Sequence, residues 1–152
     1  VYKRQVIFFF KQKTAYEMLR SRGLGDVYKR QALHGLTGAD GWLSLAFYNK
    51  DALIYRNLLK GHLRKLRKEE FAGEKHSLTP QRPLDPRELE SQLATGWQVE
   101  HRSGVRVFHD YMPRDFQAKA QLADLLEMEL AHRRHPAFAG LGRYLHWICR
   151  PR

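Results

Sequence analysis

The 152-residue sequence has little cysteine, no long apolar run and a shortage of acidic residues. Cys149 is the sole cysteine, so an intrachain disulfide is excluded and a reducing, cytoplasmic compartment is expected. The apolar run at residues 6–10 is far shorter than the roughly 20 residues that cross a bilayer, and it lacks the shape of a signal peptide. The 27 Lys and Arg residues exceed the 16 Asp and Glu residues, giving a net charge of +11 that is typical of proteins contacting nucleic acid or an anionic membrane.

The first 31 residues do not read as natural protein. The pentapeptide Val-Tyr-Lys-Arg-Gln occurs at residues 1–5 and again at residues 27–31. A back-translation of residues 26–31, GAT GTG TAT AAG AGA CAG, resembles the transposon end used in sequencing libraries, and residues 11–17 and 21–25 resemble other adapter parts in the adapter's order. A strand, a basic membrane anchor or a phosphate loop are the alternative interpretations. We interpret residues 1–31 as a sequencing-adapter artefact and not as a domain, and residues 32–152 as the natural chain.

Residues 32–69 predict a strand followed by a long helix. The segment from Trp42 to Tyr48 is almost wholly apolar or aromatic, which is typical of a strand buried on both faces of a parallel sheet. Over residues 51–69, Leu59, Leu63 and Leu66 recur at helical spacing, with Gly61 as a weak point. The prediction is therefore a central strand and one helix.

Residues 72–152 predict two more helices and further strands. We predict a loop over residues 72–86. Asp85 followed by Pro86 matches a helix cap with proline at the first helical position, and the helix is expected to reach about Ala94 and to be closed by Gly96. Residues 97–101 and 105–111 predict strand, with a bend near Ser103 and Gly104. We then expect a helix over residues 115–134 and a last strand over residues 142–150; the buried face of that helix would consist of Leu122, Leu125, Leu126 and Leu130. The order indicates an α/β fold built on crossover units.

Several motifs in residues 32–152 resemble one enzyme family. They are Ser77-Leu-Thr-Pro80 with Asp85-Pro86, Ser103-Gly-Val-Arg-Val-Phe-His-Asp-Tyr111 and Leu141-Gly-Arg-Tyr-Leu-His146. In this order they resemble the tRNA 5-carboxymethoxyuridine methyltransferase family, and residues 40–49 resemble the fifth strand of a Rossmann-like methyltransferase. The resemblance covers essentially all of residues 32–152.

The resemblance implies a fold, a cofactor and a substrate. The fold would be the C-terminal portion of a Rossmann-like class I methyltransferase domain with its first strands missing. The family uses S-adenosylmethionine to convert wobble 5-carboxymethoxyuridine of tRNA into its methyl ester. The family's glycine-rich cofactor loop and the acidic residue after its second strand have no match here, and Ala39-Asp40-Gly41 replaces the usual Pro-Gly-Gly. We therefore expect a fragment, inactive alone, with an open sheet edge beside residues 42–48.

The candidate substrate residues lie in or beside these motifs. An arginine fork suits a carboxylate, which makes Arg106 and Arg143 candidates for orienting the substrate, with a surface salt bridge as the alternative. His109, Asp110 and Tyr111 would point to opposite faces if they lay on a strand, so they are not expected to line one site together. The remaining candidates for substrate or nucleotide contact follow strand ends or offer a stacking ring: Tyr48, Asn49, His109, Tyr111 and Tyr144.

A basic segment supplies the candidates for contact with the tRNA backbone. Residues 32–152 hold 19 basic and 14 acidic side chains, a net charge of only +5, yet residues 56–68 hold six basic side chains and no acid. This density suits phosphate contacts, and a solvated helix face is the alternative. The six are Arg56, Lys60, Arg64, Lys65, Arg67 and Lys68.

Other partners and functions receive less support from the sequence. His132 and His135 lie three residues apart without a further ligand cluster, so no metal site is expected. No membrane partner is expected either. Two other functions remain as alternatives: another class I methyltransferase acting on a small acid or a protein, and a basic module that binds RNA or an anionic membrane surface.

Overall fold

The computed structural model describes residues 41–67 and 83–152, together with the backbone of residues 5–8. The strands are β1 (Gln5–Phe8), β2 (Trp42–Tyr48), β3 (Trp97–Val105) and β4 (Tyr144–Pro151). The helices are α1 (Lys50–Leu59), α2 (Leu63–Arg67), α3 (Pro86–Leu93), α4 (Arg114–Lys119) and α5 (Leu122–His132). Short 3₁₀ helices span His109–Tyr111 and Ala139–Leu141. The α/β class predicted from the sequence is confirmed.

The strands form one sheet in the order β1, β2, β4, β3. β2 and β3 run in the same direction, but β4 lies between them and is antiparallel to both. The expectation of a sheet built purely from parallel crossover units is therefore wrong. The reason lies in the last strand, which returns between its predecessors and pairs its main chain with both of them.

The core lies on one face of this sheet. Buried side chains alternate along β2 and β4, so Leu43, Leu45 and Phe47 of β2 face the core with Trp147 of β4. The remaining core residues come from α3, β3 and β4: Leu89, Leu93, Trp97, Leu145 and Cys149. The expectation that β2 is buried on both faces is wrong, because the alternate side chain Ala46 is exposed. Burial raises the pKa of the Cys149 thiol to about 11, so the thiol stays protonated at neutral pH.

The edge of β2 is occupied over part of its length. β1 pairs in parallel with Trp42–Leu45, the segment where an open edge was expected, so that expectation is wrong there. Main-chain pairing depends little on sequence, and an open edge accepts a short β-prone segment of any origin. The adapter origin of residues 1–31 stays a prediction; apart from residues 5–8, that segment lies outside the described residues.

The first long helix is broken where the sequence placed its weak point. α1 is capped by Asn49, whose side chain accepts a hydrogen bond from Asp51 N at 3.0 Å. Its last residue is Leu59 and its C-cap is Lys60, because Gly61 adopts φ +68°, a left-handed conformation that stops the helix. The chain resumes as α2, so the single helix predicted for residues 51–69 is wrong as a continuous element. Lys68 and the predicted loop at residues 72–82 lie outside the described residues.

The next elements agree more closely with the sequence. α3 begins with Asp85 as its cap and Pro86 in its first turn, as predicted, and Asp85 Oδ1 accepts a hydrogen bond from Arg87 N at 3.0 Å. β3 continues through Ser103 and Gly104 to Val105, so the bend predicted there is wrong. The register of β3 against β4 shifts instead between Val99 and His101. The strand predicted over residues 105–111 is wrong, because the chain turns after Val105 and forms a 3₁₀ helix.

The second long helix is also divided. α4 ends at Lys119 and α5 begins at Leu122. Gln117 Nε2 donates to His109 O at 2.9 Å, and Glu129 accepts from His109 N at 3.0 Å. In a straight helix, residues 117 and 129 would lie about 18 Å apart along the axis. Their side chains could then both contact His109 only if each were fully extended. The break between α4 and α5 brings both side chains to His109 without that stretch.

The leucines of α5 are not buried as predicted. Leu122, Leu126 and Leu130 are 77%, 52% and 51% exposed, and Leu125 is half-buried. They line a groove of about 340 Å³ that continues to Val105 at the end of β3. The helical spacing identified an apolar stripe correctly, but no described part of the chain covers it.

Candidate functional site

The carboxylate of Asp110 lies at the centre of a cluster of charged side chains. The Asp110 side chain is 7% exposed and forms ion pairs with Arg106, through Oδ1, and with Arg143 Nη1, through Oδ2 at 3.5 Å. His109 Nδ1 lies 3.2 Å from Arg106 Nη2 and 3.5 Å from Asp110 Oδ1. Two arginines that are 37 positions apart in the sequence therefore pair with different oxygens of one carboxylate.

Two tyrosine rings lie beside Arg143, the residue that precedes β4. The guanidinium carbon of Arg143 lies 5.6 Å from the centre of the Tyr48 ring and 5.8 Å from that of the Tyr144 ring. These two rings lie 5.7 Å apart, side by side at the ends of β2 and β4. The arrangement places a planar cation against aromatic faces, which stabilises its charge and holds its plane.

Tyr111 joins the cluster to the helix that follows β2. Its hydroxyl donates to Leu141 O at 2.5 Å, and its ring packs edge-on against Tyr55 of α1 with 5.2 Å between ring centres. Burial, followed by the charge of Asp110, raises the pKa of Tyr111, so the phenol is neutral at physiological pH. Tyr111 therefore acts here as a hydrogen-bond donor that holds the 3₁₀ helix to the turn before β4.

Asn49 is placed inside the protein rather than at a surface. It is 0% exposed, and its amide nitrogen donates to Gly140 O at 2.8 Å and to Gly142 O at 3.0 Å. Its amide oxygen accepts from Asp51 N. Because both ends of the amide are engaged within the chain, Asn49 ties the end of β2 to the turn that presents Arg143.

The sequence predicted much of this cluster but misjudged its centre. Five of the seven substrate candidates meet around Asp110 or its arginines: Tyr48, Arg106, His109, Arg143 and Tyr144. Residues 109–111 form a 3₁₀ helix and not the strand that was expected. His109 Nδ1 lies 3.5 Å from Asp110 Oδ1, whereas the Tyr111 ring packs against Tyr55 of α1. Asp110 itself was not chosen as a candidate, and neither was Glu129, whose position on an apparently amphipathic helix carries no signal in the sequence.

The basic segment has one residue, Arg56, beside the cluster. Arg56 on α1 lines a small hollow with Tyr48, Tyr111 and Arg143. Further along, three basic side chains of α2 are exposed: Arg64, Lys65 and Arg67. Lys60, between them, is also exposed. Of the predicted basic residues that the structure describes, Arg56 therefore lies beside the arginine and tyrosine cluster, and the other four are exposed.

Neither a metal site nor a membrane span is found in the part of the chain that the structure describes. No group of three or more His, Cys, Asp or Glu side chains is arranged to hold a metal ion there. The rings of His132 and His135 instead pack against Phe138. Among the same residues, every helix is too short or too polar to cross a bilayer.

Comparison with known proteins gives the cluster a context. The chain is similar to tRNA methyltransferases. It is 35% identical over 121 residues to the tRNA 5-carboxymethoxyuridine methyltransferase of Escherichia coli strain K12, and the protein of the same name from Escherichia coli O157:H7 matches equally. The match takes in 79% of this chain but 46% of each relative, so the chain spans about half the length of the curated relatives it matches. No protein-family model matches the chain.

Proposed function

We propose that this chain is the substrate-binding part of an S-adenosylmethionine-dependent methyltransferase that esterifies the carboxylate of wobble 5-carboxymethoxyuridine in tRNA. The proposal rests on one observation: Arg106 and Arg143 both pair with the carboxylate of Asp110, and Arg143 lies beside the rings of Tyr48 and Tyr144. Such a site suits a ligand that joins a carboxylate to a planar base. The similarity to tRNA 5-carboxymethoxyuridine methyltransferases supports the same substrate.

Formation of the methyl ester depends more on the orientation of the two reactants than on acid or base catalysis. A carboxyl group with a pKa near 4 is ionised at neutral pH, so its oxygen is already a nucleophile and no proton has to be removed. Correct alignment of two reactants can contribute about 7 to 11 kcal/mol. The main contribution of these residues would therefore be to fix the orientation of the substrate carboxylate.

Arg106 has donors left for a second carboxylate. Its contacts with Asp110 and His109 use Nη2 alone, and its side chain is 42% exposed. A guanidinium carries five N–H donors, so Nη1 can donate to a substrate carboxylate while Asp110 holds Nη2. Arg143 is only 17% exposed and would act from the inner side, against Tyr48 and Tyr144.

The described residues do not fit the cofactor. Within residues 41–67 and 83–152, no strand is followed by a glycine-rich turn that could approach a bound nucleoside, and no strand ends in an acidic side chain positioned for a ribose. We therefore assign these residues to the substrate side of the reaction. When bound elsewhere in the enzyme, S-adenosylmethionine would supply the methyl group.

The basic surface supports tRNA as the partner. Arg56 lies beside the cluster, and α2, which follows α1 in the chain, carries further exposed cations. A bound anticodon loop could place its modified base at the cluster while its backbone follows these side chains, each phosphate contact adding salt dependence to the affinity. Arg56, Lys60, Arg64, Lys65, Arg67 and Lys68 remain the proposed backbone contacts.

Binding to two anticodon stem-loops tests the substrate directly. One RNA carries 5-carboxymethoxyuridine at the wobble position and the other carries uridine. We expect the chain to bind the carboxylated RNA about 10-fold more tightly, and Arg143→Ala to remove most of this preference. Equal binding of both RNAs would contradict the proposed substrate. Preferential binding to anionic lipid vesicles would instead favour the membrane-surface alternative.

A chimera tests the reaction. Residues 32–152 are joined to the preceding part of the Escherichia coli K12 relative, and transfer of labelled methyl from S-adenosylmethionine is measured. The proposal predicts a base-labile methyl ester on carboxylated tRNA and none on uridine-containing tRNA. A folded chimera that binds the cofactor but labels only small acids or proteins would favour the other methyltransferase alternative.

A further inference from the structure

Glu129 of α5 gathers three consecutive backbone N–H groups. Its Oε2 accepts from Val107 N at 2.6 Å, and its Oε1 accepts from Phe108 N at 2.9 Å and from His109 N at 3.0 Å. These residues form the turn between β3 and the 3₁₀ helix. One carboxylate on a helix 20 residues away thus defines the course of this turn.

The turn needs such an anchor because it starts from a strained residue. Arg106 has φ +60°, and it is the one non-glycine residue with a positive φ in the part of the chain that the structure describes. A side chain at this φ is disfavoured and persists where surrounding contacts impose it. The left-handed residue followed by a tight turn aligns successive N–H groups into a concave anion site, which the Glu129 carboxylate occupies.

The anchored turn lies directly between the groups of the carboxylate cluster. Arg106 precedes it, and His109 and Asp110 complete it. A shift of the turn would therefore move the Arg106 guanidinium relative to the Asp110 carboxylate. The hydrogen bonds of Glu129 go to the backbone of residues 107–109 and not to these two side chains. Side chains that orient other groups need support of this kind, because a small displacement at a binding site has large effects.

We propose that Glu129 is a positioning residue: by holding the N–H groups of residues 107–109, it sets the strained Arg106 and the adjacent Asp110 in the geometry that receives a substrate carboxylate. The inference rests on the proposed function for the identity of that carboxylate. The positioning itself can be measured without any substrate.

The experiment compares Glu129→Gln and Glu129→Ala with Glu127→Gln in the full chain. Glu127 lies on the same helix and is exposed, so its variant removes the same charge without touching the turn. Glutamine can keep an oxygen for two N–H groups but turns an amide donor toward the third, so Glu129→Gln tests the carboxylate with little change of shape. Amide hydrogen exchange at residues 107–109 and NMR signals of the Arg106 guanidinium are recorded for each variant.

We expect both Glu129 variants to raise amide exchange at Val107 and to free the rotation of the Arg106 guanidinium, with Glu127→Gln unchanged. With the two stem-loops, the preference for the carboxylated RNA should fall from about 10-fold to under about 2-fold, while affinity for the uridine RNA changes little. A general loss of folding would lower both affinities together, so this split separates positioning from stability.

The outcomes are distinguishable from failure of the proposed function. If the unaltered chain shows no preference between the two RNAs, the proposed substrate is wrong, and the exchange and guanidinium measurements still decide whether Glu129 sets the turn. Unchanged NMR readouts in a folded Glu129→Gln chain would overturn the inference. So would altered NMR readouts accompanied by a full RNA preference.

Discussion

The turn before Arg143 depends on two glycines packed against each other, and Gly142→Ala should disrupt it. A Cβ at Gly142 would lie 2.6 Å from Gly104 Cα, 2.7 Å from Val105 N and 2.8 Å from Tyr144 O. All three are backbone atoms, so no side chain can rotate away. At φ −55° the backbone of Gly142 suits alanine, and the clash is therefore purely one of space.

The cost can be estimated from the contacts that must move. Forcing a methyl group into packed backbone costs about 1–3 kcal/mol. Separating the two segments also stretches the hydrogen bond from buried Asn49 to Gly142 O, which adds about 1 kcal/mol. We expect Gly142→Ala to lower the free energy of unfolding by about 2–4 kcal/mol.

Gly140→Ala is the matched control, because a Cβ there meets nothing within 4 Å. Its effect should stay within about 0.5–1 kcal/mol and can be favourable, since alanine restricts the unfolded chain. Urea denaturation followed by the fluorescence of the buried Trp97 and Trp147 measures both variants. Equal midpoints for the two alanine variants would refute the packing argument.

Three further predictions concern the basic surface, the edge strand and a helix cap. Reversing Arg64 and Arg67 to Glu should weaken RNA binding and flatten its salt dependence without changing the preference for carboxylated RNA; an unaltered salt slope would mean a merely solvated face. Deleting residues 1–31 should change the free energy of unfolding by less than about 1 kcal/mol, because the hydrogen bonds of the four paired residues contribute about what their ordering costs. Self-association, measured by sedimentation, should increase because the deletion exposes the edge of β2. A loss of several kcal/mol would mean that the segment is part of the fold. The pKa of Asp85 is lowered, first by its hydrogen bond from the Arg87 side chain, so its stabilisation is present above the pKa of the unfolded chain and is lost as the pH falls through the folded pKa. Asp85→Ala should therefore cost about 1 kcal/mol at pH 7 and progressively less in acid; a cost independent of pH would contradict this origin.

Local patterns in the sequence determined the parts of the structure that depend on neighbours in the chain. The strand at Trp42–Tyr48 and the cap of α3 at Asp85 and Pro86 are confirmed. Gly61 was recognised as a weak point and became the end of α1. These features follow from side-chain alternation, a capping side chain and the conformational freedom of glycine, all of which act over a few residues.

Tertiary contacts decided what the local patterns could not. The position of β4 between β2 and β3 depends on pairing between residues about 40 to 105 apart in sequence. The leucines of α5 are periodic whether or not a partner covers them, so their exposure has no local signature. Likewise, the alternation of side chains favoured a strand at residues 105–111, whereas the N–H groups of Val107, Phe108 and His109 donate to Glu129 of α5.

The candidate site divides in the same way. Its arginines, tyrosines and histidine could be selected from the sequence, because charge and aromatic character are properties of each residue. Asp110 and Glu129 could not, since an acidic side chain in a sequence shows neither which cations it will meet nor which N–H groups it will hold. Only the fold brings Arg106 and Arg143, 37 positions apart, to the same carboxylate, because the turn after β3 and the turn before β4 lie side by side.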